Sequence, residues 1–167
     1  MATEIRAVVI TVSDACAAGE RADASGAALV ELLTAAGAQI VAGEVLPDDL
    51  EPLAERLRTY AGRADVNLIM TTGGTGLSPR DNTPEATRAV IEREAPGLAE
   101  AMRQETAAQT PTAMLSRGVC GVRGRVLIVN LPGAPAGVRE CFAVIRPVLG
   151  HAITLLTGHS HEEAKRA

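Results

Sequence analysis

Four short, mostly apolar runs recur along the chain, and each contains β-branched residues. They read IRAVVITV, QIVAGEVL, VNLIM and RVLIVN, and they occupy residues 5–12, 39–46, 66–70 and 125–130. Such runs, bounded by Gly, Pro and polar residues, are typical of strands that are buried on both faces of a parallel sheet. The pattern therefore predicts four strands spread over most of the sequence.

Segments between these runs show the spacing of amphipathic helices. The first ends at Gly37, a common helix stop. A second helix is predicted from Asp48, with Glu51 three residues later as in a capping box. Thr83 and Pro84 predict a third helix, as N-cap and first helical residue, which runs to about residue 95. In the first helix the apolar residues recur at i, i+3, i+4 and i+7, at Leu29, Leu32, Leu33 and Ala36.

The last third of the chain predicts a further helix, a hairpin and a long final helix. The helix lies at about 98–107, and the hairpin at 121–124 leads into the last strand. The final helix follows LPGAP (131–135), and Pro147 should kink or split it. Its apolar stripe consists of Val138, Cys141, Phe142, Ile145, Leu149, Ala152 and Leu156.

Strands that alternate with helices predict βαβ units and an α/β fold. We expect one three-layer α/β/α domain with a mostly parallel sheet over residues 1–157, and a polar, loose tail over residues 158–167. His159 and His161 in that tail are possible metal ligands, although an ordinary polar tail is the simpler interpretation. In such folds ligands bind where strands end and helices begin.

Composition narrows the classes of partner. Of the 167 residues 47% are hydrophobic and only 1% aromatic, and the net charge is −4. So few rings and an acidic balance argue against a general nucleic-acid binder. No secretory signal and no uncharged apolar run of bilayer length is present, so no membrane partner is expected. Three cysteines without a CxxC pair fit a reducing compartment, and we expect a cytoplasmic protein.

Three strand-to-helix turns carry groups that can bind phosphate: Ser13 with Asp14, the TTGGTG turn at 71–76, and the LPGAP turn at 131–135. Glycine lets the backbone approach an anion closely, and threonine hydroxyls add donors. Taken alone, TTGGTG is equally well explained as a tight turn, and it is not a P-loop. Its candidate binding residues are Thr72, Gly73, Gly74, Thr75 and Gly76.

Charged residues follow the glycine turn. Arg80 offers a planar donor fork that suits phosphate. Asp81, beside an anion site, favours an intervening Mg²⁺, although it is also an ordinary residue just before a helix. Asp48 taken alone is better explained as a helix cap, and Asp14 as an acceptor for turn amides.

The segment TTGGTGLSPRDNTPEAT (71–87) resembles the molybdopterin adenylyltransferase family, which includes MogA and MoaB proteins and the G domain of gephyrin. The resemblance extends in order over about residues 8–156. It includes VSD (12–14), LPDD (46–49), PGLAEAMRQE (96–105), PTAMLSR (111–117), GVRG (121–124) and NLPGAP (130–135). Several collinear motifs are more specific than any one of them.

The resemblance implies a reaction in which the terminal phosphate of molybdopterin joins the α-phosphoryl group of Mg-ATP, giving adenylyl-molybdopterin and pyrophosphate. It also implies a homotrimer and, as a possible partner, the enzyme that inserts molybdate. Asp48 and Asp81 would be the catalytic residues and would organise Mg²⁺. The residues implied to bind the nucleotide and pterin are Ser13, Asp14, Thr72, Gly73, Gly74, Thr75, Gly76, Arg80, Ser116, Arg117, Pro132 and Gly133.

Alternative functions remain open at this point. A MoaB-type or gephyrin-like scaffold protein would bind molybdopterin without efficient turnover. A related domain also occurs in competence-damage proteins that hydrolyse nucleotides, a minor alternative. The presence of both Asp48 and Asp81 favours turnover.

Overall fold

A computed structural model describes residues 3–158 of the chain. Its strands are β1 (Arg6–Val12), β2 (Gln39–Leu46), β3 (Leu68–Thr72), β4 (Arg93–Glu94), β5 (Cys120–Arg123) and β6 (Val126–Leu131). They form a six-stranded sheet in the order β2-β1-β3-β6-β5-β4. β2, β1, β3 and β6 are parallel, whereas β5 and β4 pair in antiparallel fashion at one edge. The sheet is therefore mostly parallel, as predicted.

Helices connect the strands and cover both faces of the sheet. They are α1 (Asp14–Ala17), α2 (Ala24–Ala35), α3 (Leu50–Ala61), α4 (Thr83–Arg88), α5 (Pro96–Ala107) and α6 (Pro135–Leu156), with a 3₁₀ helix at Pro111–Leu115. Helices α2, α5 and α6 contribute to one buried cluster, and α3 and α4 contribute to a second. The three-layer α/β/α architecture is confirmed.

Side chains of β1 show why the central strands read as continuous apolar runs. Ala7 and Val9 belong to the cluster on the α2, α5 and α6 side, whereas Val8 and Ile10 belong to the cluster on the α3 and α4 side. All four are at most 3% exposed. A strand covered on both faces has no polar side, so the alternation of a half-exposed strand is absent.

The third predicted helix was wrong in length and in its cap. α4 ends at Arg88, and the residues that follow reach the two-residue strand β4. Asn82, not Thr83, occupies the N-cap position. Thr83 Oγ1 instead donates to the Gly73 carbonyl at 2.9 Å, so the hydroxyl ties α4 to the glycine turn.

The predicted hairpin exists, but Gly121 lies within β5 rather than in the turn. A Cβ at Gly121 would lie 2.8 Å from the Arg93 carbonyl oxygen, so glycine allows β4 to approach β5. The turn itself uses Gly124, whose φ is +56°. The β5–β6 hairpin thus adds an antiparallel edge that strand runs alone did not predict.

α6 continues through Pro147 and is not split. Its stripe packs into the larger cluster on both sides of the proline, through Phe142, Ile145 and Leu149. Packing therefore outweighs the backbone hydrogen bond that proline cannot make. Within the described part of the chain no helix is both long and apolar enough to cross a membrane. The predicted tail histidines, His159 and His161, lie outside the described residues.

Candidate active site

Three parallel strands end side by side and bring two turns into contact. Val12, Thr72 and Leu131 are the last residues of β1, β3 and β6. Gly73 follows with φ +96°, and a Cβ there would overlap the Val12 carbonyl oxygen. A Cβ at Gly133 would lie 3.3 Å from the Gly73 Cα. The turns pack so closely that side chains would force them apart.

Backbone groups in these turns remain available for a ligand. Among residues 3–158 the N–H groups of Gly74, Thr75 and Gly76 donate no hydrogen bond, whereas Gly73 N–H donates to the Leu131 carbonyl at 3.1 Å. The Thr72 hydroxyl donates to the Pro132 carbonyl at 2.7 Å, so it joins the turns to each other. Unpaired N–H groups in a glycine-rich turn after a strand suit an anion.

Asp48 and Asp14 hold each other through reciprocal hydrogen bonds. Asp14 N–H donates to Asp48 Oδ2 at 3.0 Å, and Asp48 N–H donates to Asp14 Oδ1 at 3.0 Å. The predicted capping box is wrong: α3 begins at Leu50, its N-cap is Asp49, and no side chain caps it. Burial raises the pKa of Asp48, and the negative charges of Asp14 and Asp81 act in the same direction. Asp48 therefore links the ends of β1 and β2 and does not cap its own helix.

Asp81 lies on the loop that follows the glycine turn. Its Oδ2 accepts from Ser78 N–H at 2.9 Å, and a Cβ at Gly76 would lie 2.9 Å from the same oxygen. Two residues earlier, a Cβ at Gly74 would lie 3.0 Å from Asp48 Oδ1. Both carboxylates therefore face the glycine turn, in space that any larger residue would fill.

The donor set fits a hard divalent cation shared with a ligand. Carboxylate oxygens are preferred ligands of Mg²⁺, which usually takes one or two of them together with phosphate oxygens and water. Across residues 3–158 no group of three or more His, Cys, Asp or Glu side chains is placed to enclose a metal. Asp48 and Asp81 thus suit a cation that arrives with a phosphate.

Arg80, a predicted phosphate ligand, is bound to acidic side chains. Its Nε and Nη2 donate to the two Asp14 carboxylate oxygens at 3.0 and 2.8 Å, and Nη2 lies 3.2 Å from Asp49 Oδ1. The hydrogen-bonded Arg80 guanidinium lowers the pKa of Asp14. The residue therefore ties the Asp81 loop to the ends of β1 and β2.

Arg117, also predicted to bind substrate, braces the same loop from the other side. It donates through Nε to the Gly76 carbonyl at 2.7 Å and through Nη2 to the Asp81 carbonyl at 2.9 Å. It also pairs with Glu85, whose pKa it lowers. Glu85 had no sequence signal beyond its place in the first turn of a helix.

Two cavities lie side by side at the strand ends, named here the polar lobe and the apolar lobe of the cleft; residues of the glycine turns line both, and Ala134 is common to them. The polar lobe, about 620 Å³, lies over β1 and β3, and the apolar lobe, about 430 Å³, lies between the loop after β3 and helices α5 and α6. Predicted residues that line the polar lobe are Ser13, Asp48, Thr72, Gly73, Gly74, Asp81 and Gly133. Those that line the apolar lobe are Thr75, Gly76, Ser116 and Pro132.

The remaining predicted residues, Asp14, Arg80 and Arg117, line neither lobe, but their hydrogen bonds hold segments that do. Sequence reasoning missed several lining residues. Arg21 lines the polar lobe and donates to Ser13 Oγ at 3.2 Å. Residues of α5 and α6 that line the apolar lobe include Arg103, Thr106 and Glu140. These residues lie on helices, which present about one side chain per turn to the cavity, and no local sequence motif marks them.

Comparison with known proteins gives a consistent result. The family described as a probable molybdopterin binding domain matches residues 8–151. The molybdenum cofactor synthesis protein cinnamon of Drosophila melanogaster is 43% identical over 150 residues, which are 89% of this chain but 25% of that protein. The molybdopterin adenylyltransferase of Helicobacter pylori J99 is 35% identical over 153 residues, covering 90% of this chain and 87% of that enzyme.

The fold agrees with a solved relative. The crystal structure of the molybdopterin biosynthesis enzyme MoaB from Thermus thermophilus matches with a TM-score of 0.87 and 50% sequence identity, over 92% of this chain and 97% of that one. Similarity in sequence and similarity in fold thus point the same way. The chain belongs to the molybdopterin adenylyltransferase family, a family of enzymes in molybdenum cofactor biosynthesis.

Proposed function

We propose that this chain transfers AMP from Mg-ATP to the terminal phosphate of molybdopterin and releases pyrophosphate. The observation that carries the proposal is the pair of carboxylates, Asp48 and Asp81, that line one lobe together with the glycine turns. The adenylyltransferase relative from Helicobacter pylori supports the same reaction.

The attacking group in this reaction is the phosphate of the substrate, so the protein does not have to supply a nucleophile. Its task is to position the reacting phosphates and to neutralise their negative charge. The unpaired N–H groups of Gly74, Thr75 and Gly76 bind phosphate oxygens. Arg21 adds positive charge to the polar lobe. Asp48 and Asp81 would hold Mg²⁺, which when bound neutralises the phosphates and the leaving pyrophosphate.

The two lobes fit two substrates that meet at their phosphates. The glycine turns lie where the lobes join, so phosphates bound there are reached from both sides. Each substrate also carries a flat heterocycle, and the apolar lobe offers such a ring a mostly hydrophobic cavity. In the proposed reaction the attacking phosphate and the α-phosphoryl group meet at this point.

A homotrimer and contact with the molybdate-inserting enzyme belong to the same proposal. Large apolar side chains stand exposed beside the apolar lobe: Leu77 is 66%, Met114 70% and Leu115 51% exposed. Apolar surface of this kind is suited to association. Light scattering that gives three times the chain mass would support the trimer, and a monomeric mass would contradict it.

Pyrophosphate release from ATP is the decisive measurement, made with and without molybdopterin and with and without Mg²⁺. The proposal expects release only when all components are present, and adenylyl-molybdopterin by mass spectrometry. Asp81→Asn should lower the rate by about 100-fold or more with the fold intact, whereas Asp65→Asn, an exposed carboxylate paired with Arg63, should not. Tight molybdopterin binding by the wild type without release would favour the alternative, a binding protein without turnover.

A further inference from the structure

The apolar lobe contains a carboxylate that the proposed chemistry does not use. Glu140 lies on α6 and lines this lobe, and its Oε2 accepts from the Thr110 hydroxyl at 3.1 Å. Within residues 3–158 Glu140 forms no ion pair, and Oε1 accepts no hydrogen bond. Asp48 and Asp81 line the other lobe. Glu140 is thus an acceptor with spare capacity in a mainly hydrophobic cavity.

The surroundings of Glu140 are those of a ring-binding cavity. Side chains of Ala99, Met102 and Leu115 supply apolar walls, and Pro132 adds another beside the glycine turn. Glu140 is partly buried, and a polar group on the wall of such a cavity favours a ligand that completes its hydrogen bonds over one that leaves them unmade. The lone carboxylate should therefore decide which heterocycle enters.

The two heterocycles of the proposed reaction differ in the edge they present. A pterin carries an exocyclic 2-amino group beside a ring N–H, two adjacent donors that match the acceptor-only edge of a carboxylate. Adenine carries one exocyclic amino group beside an unprotonated ring nitrogen, which a carboxylate oxygen would repel. The charge and geometry of Glu140 favour the pterin.

We propose that Glu140 is the specificity residue for the pterin, which binds in the apolar lobe with its 2-amino edge on the carboxylate. The nucleotide consequently occupies the polar lobe, and the two phosphates meet at the glycine turns. This inference rests on the proposed function and names which substrate each lobe takes.

The test compares Glu140→Gln with the wild type in titrations of molybdopterin and, separately, of ATP. Glutamine keeps an oxygen for Thr110 but replaces an acceptor by a donor. The Kd of molybdopterin should rise about tenfold or more, and that of ATP should stay unchanged. Glu105→Gln, an exposed residue of α5, is the matched control and should change neither value.

A second measurement needs no variant. The wild type should bind pterin more tightly than lumazine, in which an oxygen replaces the 2-amino group, and Glu140→Gln should reduce or reverse that preference. Because the chain has no tryptophan, ring fluorescence reports binding directly.

The outcomes separate the two proposals. Unchanged molybdopterin affinity in Glu140→Gln, equal binding of pterin and lumazine, or weaker binding of ATP alone would overturn the role of Glu140 while adenylyl transfer stands. A wild type that binds no molybdopterin would overturn both.

Discussion

Gly73 and Gly74 are each restricted to glycine by two constraints, backbone conformation and crowding. Their φ values of +96° and +66° lie in the region that favours glycine, and a Cβ at either would overlap a neighbour, the Val12 carbonyl at one and the Thr83 hydroxyl at the other. Gly124 also has a positive φ, +56°, but open space around it. Comparing alanine at the two kinds of position separates backbone strain from crowding.

We expect Gly124→Ala to cost about 1 kcal/mol of unfolding free energy, the strain of a positive φ alone. Gly73→Ala should cost about 3 kcal/mol or more, because the turn after β3 must also move away from β1. Denaturant unfolding measures both values. Equal losses in the two variants would show that the contact with Val12 is unimportant.

Asp48 carries a cost of folding that its proposed catalytic role explains. Burial raises the pKa of Asp48 above its usual 3.8. Ionisation therefore opposes folding: the cost is absent below the unfolded pKa, grows as the pH rises through it, and is complete above the folded-state pKa. A residue that lowers stability at neutral pH while facing the glycine turn is consistent with a role in catalysis.

Asp48→Asn should lower turnover by about 100-fold or more, since one carboxylate of the pair is lost. Asparagine still accepts from Asp14 N–H, so unfolding free energy at pH 7 should equal or exceed that of the wild type, and the difference should vanish towards about pH 3. Denaturant unfolding at several pH values and pyrophosphate release measure this. Lower stability at pH 7 with full turnover per folded molecule would instead make Asp48 structural.

The loop between β3 and α4 is held by side-chain contacts with several other elements. Arg80 ties this loop to Asp14 at the start of α1 and to Asp49 before α3, while Arg117 holds the loop carbonyls of Gly76 and Asp81. The Arg80 and Asp14 side chains are about half exposed, so their pairing contributes little to stability. We expect the pair to act instead by holding the Asp81 loop in place relative to Asp48.

Arg80→Ala should lower turnover about tenfold or more, because small displacements of reacting groups are costly. It should change unfolding free energy by less than about 1 kcal/mol. The matched control is Arg63→Ala, which removes an exposed pair with Asp65 and should leave turnover unchanged.

Asp14→Asn distinguishes a clamp from a phosphate ligand. It weakens the pair from the other side and keeps an acceptor for Asp48 N–H. A clamp predicts a loss of turnover parallel to that of Arg80→Ala. If Arg80 acted only by binding phosphate, releasing it would leave turnover intact and the KM for ATP unchanged or lower.

The reactivities of the three cysteine thiols probe two features of the whole molecule, the burial of the core and the access to the cleft. Burial raises the pKa of Cys120 to about 12 and that of Cys141 to about 11. Since the thiolate is the reactive form, both should be inert in the folded protein. Cys16 is partly exposed and lines the polar lobe.

Thiol labelling at about pH 8 should therefore modify only Cys16 rapidly in the native protein and all three cysteines after unfolding. Mg-ATP should slow the labelling of Cys16 because the nucleotide fills the polar lobe, and Cys16→Ser should abolish the fast phase. Mass spectrometry counts the modified thiols. Rapid native labelling of Cys120 would contradict a packed core, and labelling indifferent to Mg-ATP would contradict a nucleotide in that lobe.

Local pattern predicted the fold well. Apolar runs predicted the strand positions within about two residues, because a strand that is buried on both faces is apolar at consecutive positions. The alternation of strands with helices predicted the three layers. The bounds of elements were predicted least well where an element is very short. Strand β4 consists of two exposed residues, and helix α4 of six residues. Elements this short contain too few residues to show a hydrophobic periodicity.

Glycine turns and carboxylates at strand ends were visible as candidate site residues in the amino-acid sequence, because turn geometry and motif spacing are local. Which groups those side chains meet depends on the packing of distant segments. Asp48 bonds across 34 residues to Asp14, and Asp14 across 66 residues to Arg80. Glu140 likewise enters the cleft only because α6 packs against the sheet. Contacts between residues so distant in sequence depend on how the layers pack, and no local pattern encodes them.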